Sequence, residues 1–138
     1  MLNLNDTVPA AAAGTQNVVW QEDSSGNVSA AVNFQSFGGK VTVAPVAGVL
    51  TLDCSAARSF YVNVNAAITS MVINNPVDGQ EITILWVQDG TGHSIVLAGN
   101  MQGATAPSTS ANKVSCQKFT YNSGNGNWYA IAAGVTGM

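Results

Sequence analysis

Charge is what this sequence has least of. Only 8% of its 138 residues are Asp, Glu, Lys or Arg, against roughly 25% in ordinary globular domains. Four scattered cations and a pI near 4.6 make no basic stripe, so nucleic-acid binding through phosphate neutralisation is not expected. The single histidine, His93, and seven carboxylates leave little to move a proton or hold a metal. The two cysteines, Cys54 and Cys116, form no CxxC pair and are too few for a secreted disulfide scaffold. They read as small buried thiols, with a 54–116 disulfide left open. No window reaches the roughly 18 apolar residues of a membrane span; the stretch 41–52 is broken by Thr42, Pro45, Gly48 and Thr51. The opening MLNLNDTVPAAAAG lacks the basic start of a signal peptide, so an unprocessed chain made in the cytoplasm is expected.

What is present is a chain 46% hydrophobic, rich in Ala, Val, Asn, Ser, Thr and Gly. That excludes a disordered chain. From residue 40 onward the pattern is short strands and turns. Val41 and Val43 alternate, and residues 49–52 form a second strand. Phe60, Val62 and Val64 alternate with Tyr61, Asn63 and Asn65. Residues 70–74 are short and β-branched, and PVDGQ, residues 76–80, is a turn by its Pro and Asp-Gly. EITILWVQ, residues 81–88, is the strongest strand. Ile82, Ile84 and Trp86 share one side, yet Leu85 and Val87 on the other are also apolar. A strand apolar on both sides is central or covered by a partner chain. DGTGH, residues 89–93, then turns into 94–98 as a hairpin, and 99–112 is a polar loop. Residues 113–122 are a strand, SGNGN a turn, and 128–133 close the domain.

Seven or eight short strands with turns about every 8–12 residues indicate an all-β sandwich or jelly-roll-like barrel, not a parallel βαβ fold. No helix of ten residues and no strong internal repeat are visible. Residues 1–39 differ: an Ala run (10–13), two apolar patches (Val18, Val19, Trp20 and Val28, Ala30, Val32) around the turn QEDSSGN, then QSFGG as a hinge. They read as an extended arm or small hairpin ahead of a β domain over 40–138.

The chemistry-bearing residues form no catalytic motif. His93 sits in a Gly-flanked turn without a nucleophile elbow nearby; metal or anion binding by three copies on a trimer axis is the one special case. A glycosidase needs two facing carboxylates, and Asp78 with Glu81, or Asp53 with Asp89, are the pairs on offer. In turns, Asp78 and Asp89 more simply cap backbone amides. There is no DxDxDG-type calcium spacing. Residues 124–127 precede a strand, so they offer no helix N-terminus to a phosphate. The sequons at Asn5 and Asn27 matter only in a secretory pathway. No cofactor is expected. Trp86 belongs to the core by its alternation with Ile84 and Ile82, while Trp128 and Tyr129 point to opposite faces.

The stretch 75–133 resembles a module recurrent in tailed-bacteriophage virion proteins. A "P-x-x-G-Q-x-x-T-I" strand (Pro76, Gly79, Gln80, Thr83, Ile84) leads to "Q-D-G-T-G" (Gln88, Asp89, Gly90, Thr91, Gly92). Then come a small-residue loop with "A-P" (Ala106, Pro107) and "A-N" (Ala111, Asn112), and an ending with Phe119, Tyr121, Asn127, Trp128 and Tyr129. Residues 94–98 depart from the aromatic-bearing strand common there. The resemblance implies a virion structural protein without catalytic residues, commonly a trimer. Two roles follow. One is a homotrimeric capsid decoration (cement) protein, anchored to the major capsid protein through Val18, Val19, Trp20, Val28 and Val32. The alternative is a tail-fibre or tail-tip module that recognises host glycan, with Trp128 and Tyr129 as receptor contacts. A depolymerase would need a carboxylate pair the sequence does not display. The first role implies location on the virion surface, with neither nucleic acid nor membrane as a partner.

Overall fold

A computed structural model describes residues 18–22, 28–32 and 40–138. The chain divides into two units, Met1–Ser36 and Phe37–Met138. In the first, β1 (Val18–Glu22) and β2 (Val28–Val32) pair antiparallel, with Val18 opposite Val32 and Trp20 opposite Ala30. The Ala run, the connection 23–27 and the 35–39 hinge lie outside the described residues.

The second unit is all β, and no helix occurs among its described residues. Its strands are β3 (Lys40–Val43), β4 (Val49–Asp53), β5 (Ser59–Val64), β6 (Ser70–Asn74), β7 (Glu81–Gln88), β8 (Met101–Gln102), β9 (Val114–Asn122) and β10 (Asn127–Ala130). A six-stranded sheet runs β3-β5-β7-β9-β10-β8, and β4 pairs with β6 in a second sheet. The boundaries follow the sequence pattern because each strand alternates buried and open residues. In β7, Ile82, Ile84 and Trp86 are buried while Thr83, Leu85 and Val87 are half-buried.

The connectivity departs from an antiparallel sandwich or jelly roll. β3, β5 and β7 are parallel neighbours, as are β4 and β6. The chain alternates between the two sheets and returns each time beside its earlier strand, like turns of a coil. Val41, Phe60 and Ile84 stack in one row, and Val43, Val62 and Trp86 in the next. Leu50 sits beside Met71, and Leu52 beside Ile73, across the second sheet. The intervals between stacked residues differ from turn to turn, so this repetition leaves no fixed period in the sequence. β9 and β10 then continue the large sheet antiparallel, and β8 closes its edge parallel to β10.

Two sequence expectations fail here. Residues 94–98 do not fold back on β7 as a hairpin. They cross to the smaller sheet, where Ile95 bridges Ile68 in parallel and starts a third turn of the coil. The loop 99–112 is not purely irregular, since Met101 and Gln102 form β8. A two-residue edge strand has too little periodicity to show in sequence.

Corners of the coil are fixed locally. Ala47 and Gly48 both have positive φ, the backbone of a two-residue primed turn, with Val46 and Val49 exchanging both backbone hydrogen bonds. A Cβ on Gly48 would lie 2.7 Å from Thr69 Oγ1 on the next turn, so glycine permits the close stacking. The inner sides of both sheets supply one core, which includes Leu50, Leu52, Phe60, Val62, Ile84, Trp86, Phe119 and Trp128. Ile84→Ala, at the centre of the stacked rows, is expected to cost about 2–5 kcal/mol of stability. Urea unfolding checks it; a loss below about 1 kcal/mol would contradict a packed central row.

Candidate functional site

Three buried glutamines act as substitutes for backbone. Gln80 Oε1 accepts from Val77 N–H at 3.0 Å, and its Nε2 donates to Cys54 O at 2.8 Å. Gln88 accepts from His93 N–H and donates to His93 O and Ser108 O, each at 2.8 Å. Gln117 accepts from Thr105 N–H and donates to Ala132 O, both at 2.8 Å. Each amide thus ties an irregular segment to the core: the corner after β4, the 89–93 turn with the 105–112 loop, and that loop with the C-terminal segment. Buried irregular backbone must find partners, and a primary amide offers both donors and an acceptor. Gln80 directly precedes β7 and Gln88 ends it. Their conspicuous spacing has a structural cause, as does that of Gly92. Its φ is +80°, and a Cβ there would lie 2.5 Å from Thr109 O.

The titratable residues are placed as turn fasteners. Asp89 accepts from the N–H groups of Thr91 (2.8 Å) and Gly92 (3.1 Å) and lies 3.1 Å from His93 Nε2. The Thr91 amide, then His93, hold its carboxyl below the usual range. Asp53 accepts from Ser55 and Asn75, whose side chains lower its pKa, Ser55 most. Asp78 accepts from Ser123 N–H at 2.8 Å, with the same effect. Glu81 pairs with Lys118 at 2.6 Å. Each of Asp53, Asp78, Glu81 and Asp89 thus has its own hydrogen-bond or ion-pair partner. Among the described residues, no three of His, Cys, Asp and Glu are grouped to hold a metal. Both cysteines are free thiols: Cys54 is buried, and desolvation then Asp53 push it up to about 11, while Cys116 is half-buried.

Trp128 is fully buried, its ring 4.9 Å from that of Tyr121, so it offers nothing to a receptor. Tyr129 is 38% exposed, and its hydroxyl accepts from Asn125 Nδ2 at 2.8 Å. Burial of Trp128 has a plain cause: it lies between Tyr121 of β9 and Met101 of β8 on the core side. The arm residues Val18, Val19, Trp20, Val28 and Val32 all lie in the β1–β2 pair.

One surface remains. The outer side of the six-stranded sheet presents Tyr61, Leu85 and Cys116 in register across β5, β7 and β9. Val135 extends that row by pairing with Cys116. Val87 and Val114 form the row beside it. On the other flank lies a polar row of Lys40, Ser59, Thr83 and Lys118. Lys40 Nζ sits 4.5 Å from the Tyr61 ring centroid. Lys40, Ser59, Phe60, Tyr61, Thr83, Leu85 and Cys116 line an open trough of about 330 Å³ whose floor is almost wholly apolar. The two-sided β7 made such a surface legible; its width needed the register, which the sequence does not display. No known protein-family model matches the chain, and no curated protein is significantly similar to it in sequence.

Two outcomes are expected. Gln88→Leu strands three backbone groups and should cost about 2–3 kcal/mol or more, with hydrogen exchange accelerating first in residues 105–112. Asp53, Asp78 and Asp89 have folded-state pKa values below 3.8. Their stabilisation is therefore complete above about pH 5 and is lost as pH falls below about 4 through those folded values. Thermal melts at stepped pH should show that acid-side loss, reduced in Asp89→Asn.

Proposed function

We propose that this chain is a structural protein of a tailed-phage virion, acting as a homotrimeric capsid decoration protein on the outer surface of the head. The observation that carries the reading is the broad apolar face on a domain whose charged side chains are few. A monomer leaves that face to water, whereas an assembled protein covers it. The resemblance of residues 75–133 to virion modules points the same way. Residues 1–39 are the anchoring arm, with Val18, Val19, Trp20, Val28 and Val32 as contacts toward neighbouring chains of the shell, the major capsid protein among them. The two-sheet domain over 40–138 is the outward part. It works by binding and bracing, without cofactor or catalysis.

A tail-fibre or tail-tip role in glycan recognition is the second reading, and only Tyr129 of its two contacts is exposed. Quantitative mass spectrometry of purified virions separates the two. The decoration reading expects hundreds of copies per particle and binding of the purified protein to expanded capsids. Deletion of residues 1–39 should abolish that binding and leave the circular dichroism of the β domain intact. A handful of copies with Tyr129-dependent adsorption to host cells would replace it with the fibre reading.

A further inference from the structure

The turn between β9 and β10 holds three asparagines, Asn122, Asn125 and Asn127, and the one Asn-Gly step of the chain, Asn125-Gly126. Asparagine is thermolabile. The backbone nitrogen of the next residue can attack its carboxamide carbon and close a cyclic succinimide. A following glycine has no Cβ to obstruct that approach. Sterics give no protection here. Asn125 is exposed, and a Cβ on Gly126 would have nothing within 4 Å.

Hydrogen bonds give it instead. In this turn every nitrogen that follows an asparagine already donates elsewhere. Ser123 N–H donates to Asp78 Oδ1 at 2.8 Å, Gly126 N–H to Asn122 O at 2.9 Å, and Trp128 N–H to Asn100 O at 2.9 Å. The Gly126 carbonyl accepts from Asn100 Nδ2 at 2.8 Å, so this residue is tied on both sides. The Asn125 carboxamide is tied at both ends as well. Its Oδ1 accepts from Asn127 N–H at 3.1 Å. That leaves Nδ2 to donate, and it does so to Tyr129 Oη at 2.8 Å. Of these two ties, only the second comes from outside the turn. Tyr129 belongs to β10, paired with Thr120 of β9 on one side and Gln102 of β8 on the other, so its hydroxyl is a fixed post.

We propose that Asn125 is the deamidation site of this chain and that the Tyr129 hydroxyl guards it, restraining the carboxamide from turning onto the Gly126 nitrogen. In the guarded reaction hydroxide takes the Gly126 N–H proton and the nitrogen bonds to Asn125 Cγ. The Cγ–Nδ2 bond breaks, and the nitrogen leaves as ammonia with a proton from water. Water then opens the succinimide at either carbonyl, giving aspartate or isoaspartate. Either product adds a negative charge to a turn that already receives Asp78. Isoaspartate also lengthens the backbone of the turn that sets the register of Trp128. The inference is independent of the virion reading and gives Tyr129 a task within its own chain.

The test is peptide mapping by mass spectrometry of the full chain after incubation at mildly alkaline pH. Asn125 should convert several times more slowly in the folded protein than in the same chain unfolded in urea. Tyr129→Phe keeps the ring and removes the hydroxyl. It should speed conversion at Asn125 about fivefold, as the loss of one ordinary hydrogen bond implies, and leave Asn122 and Asn127 unchanged. Circular dichroism confirms that the variant is folded. Equal rates in the folded and unfolded chains overturn the proposal, and so does an unchanged rate in Tyr129→Phe. Acceleration at all three asparagines alike overturns it too, since that marks a turn loosened as a whole. Faster conversion at any other asparagine of the folded protein removes Asn125 as the site.

Discussion

The β domain depends on hydrogen bonds made by three glutamine side chains. Without Gln80, Gln88 and Gln117, the segments that link the strands would bring unpaired peptide groups against the core. An amide left unpaired in such a place costs about 1–3 kcal/mol, a large share of the 5–15 kcal/mol that keeps a domain folded. The glutamines make loops 76–80, 89–93 and 103–108 continuations of the sheets. A neutral amide does this without the desolvation penalty that a buried charge would carry. The scarcity of charge and the density of buried polar contacts are thus two aspects of one solution.

Much of the strand layout was readable in advance. The alternation of Phe60, Val62 and Val64, and of Ile82, Ile84 and Trp86, places β5 and β7 and identifies their buried sides. Period-two patterning reports on one strand at a time, so it carries no information on which strand lies beside which. The parallel pairing of β5 with β7, and the departure of residues 94–98 to the other sheet, arise from long-range contacts and from the Gln88 clamp. Such terms are invisible to local pattern. Gln88 itself was legible as part of a conspicuous motif, while its role was not, because its partners lie 5 and 20 residues away.

The surface reading follows the same division. Leu85 and Val87 advertise a second apolar side to β7 in the sequence. Only the register adds Tyr61 on one flank and Cys116 on the other and turns an apolar strand into a trough. The aromatic candidates show the converse. Trp128 and Tyr129 are adjacent in sequence and share composition-level promise, yet opposite sides of β10 send one into the core and leave the other at the surface.

The coil also bears on how such a domain changes length. A hairpin-built sandwich takes insertions at its loop tips, where they dangle. A chain wound alternately through two sheets can take an insertion of about one turn as a further rung, stacked on the existing ones and burying its own share of apolar surface, as repeat architectures do. Growth along the winding axis would leave the outer face and its lysine-flanked trough in register. Height and binding face are therefore separable properties of this domain.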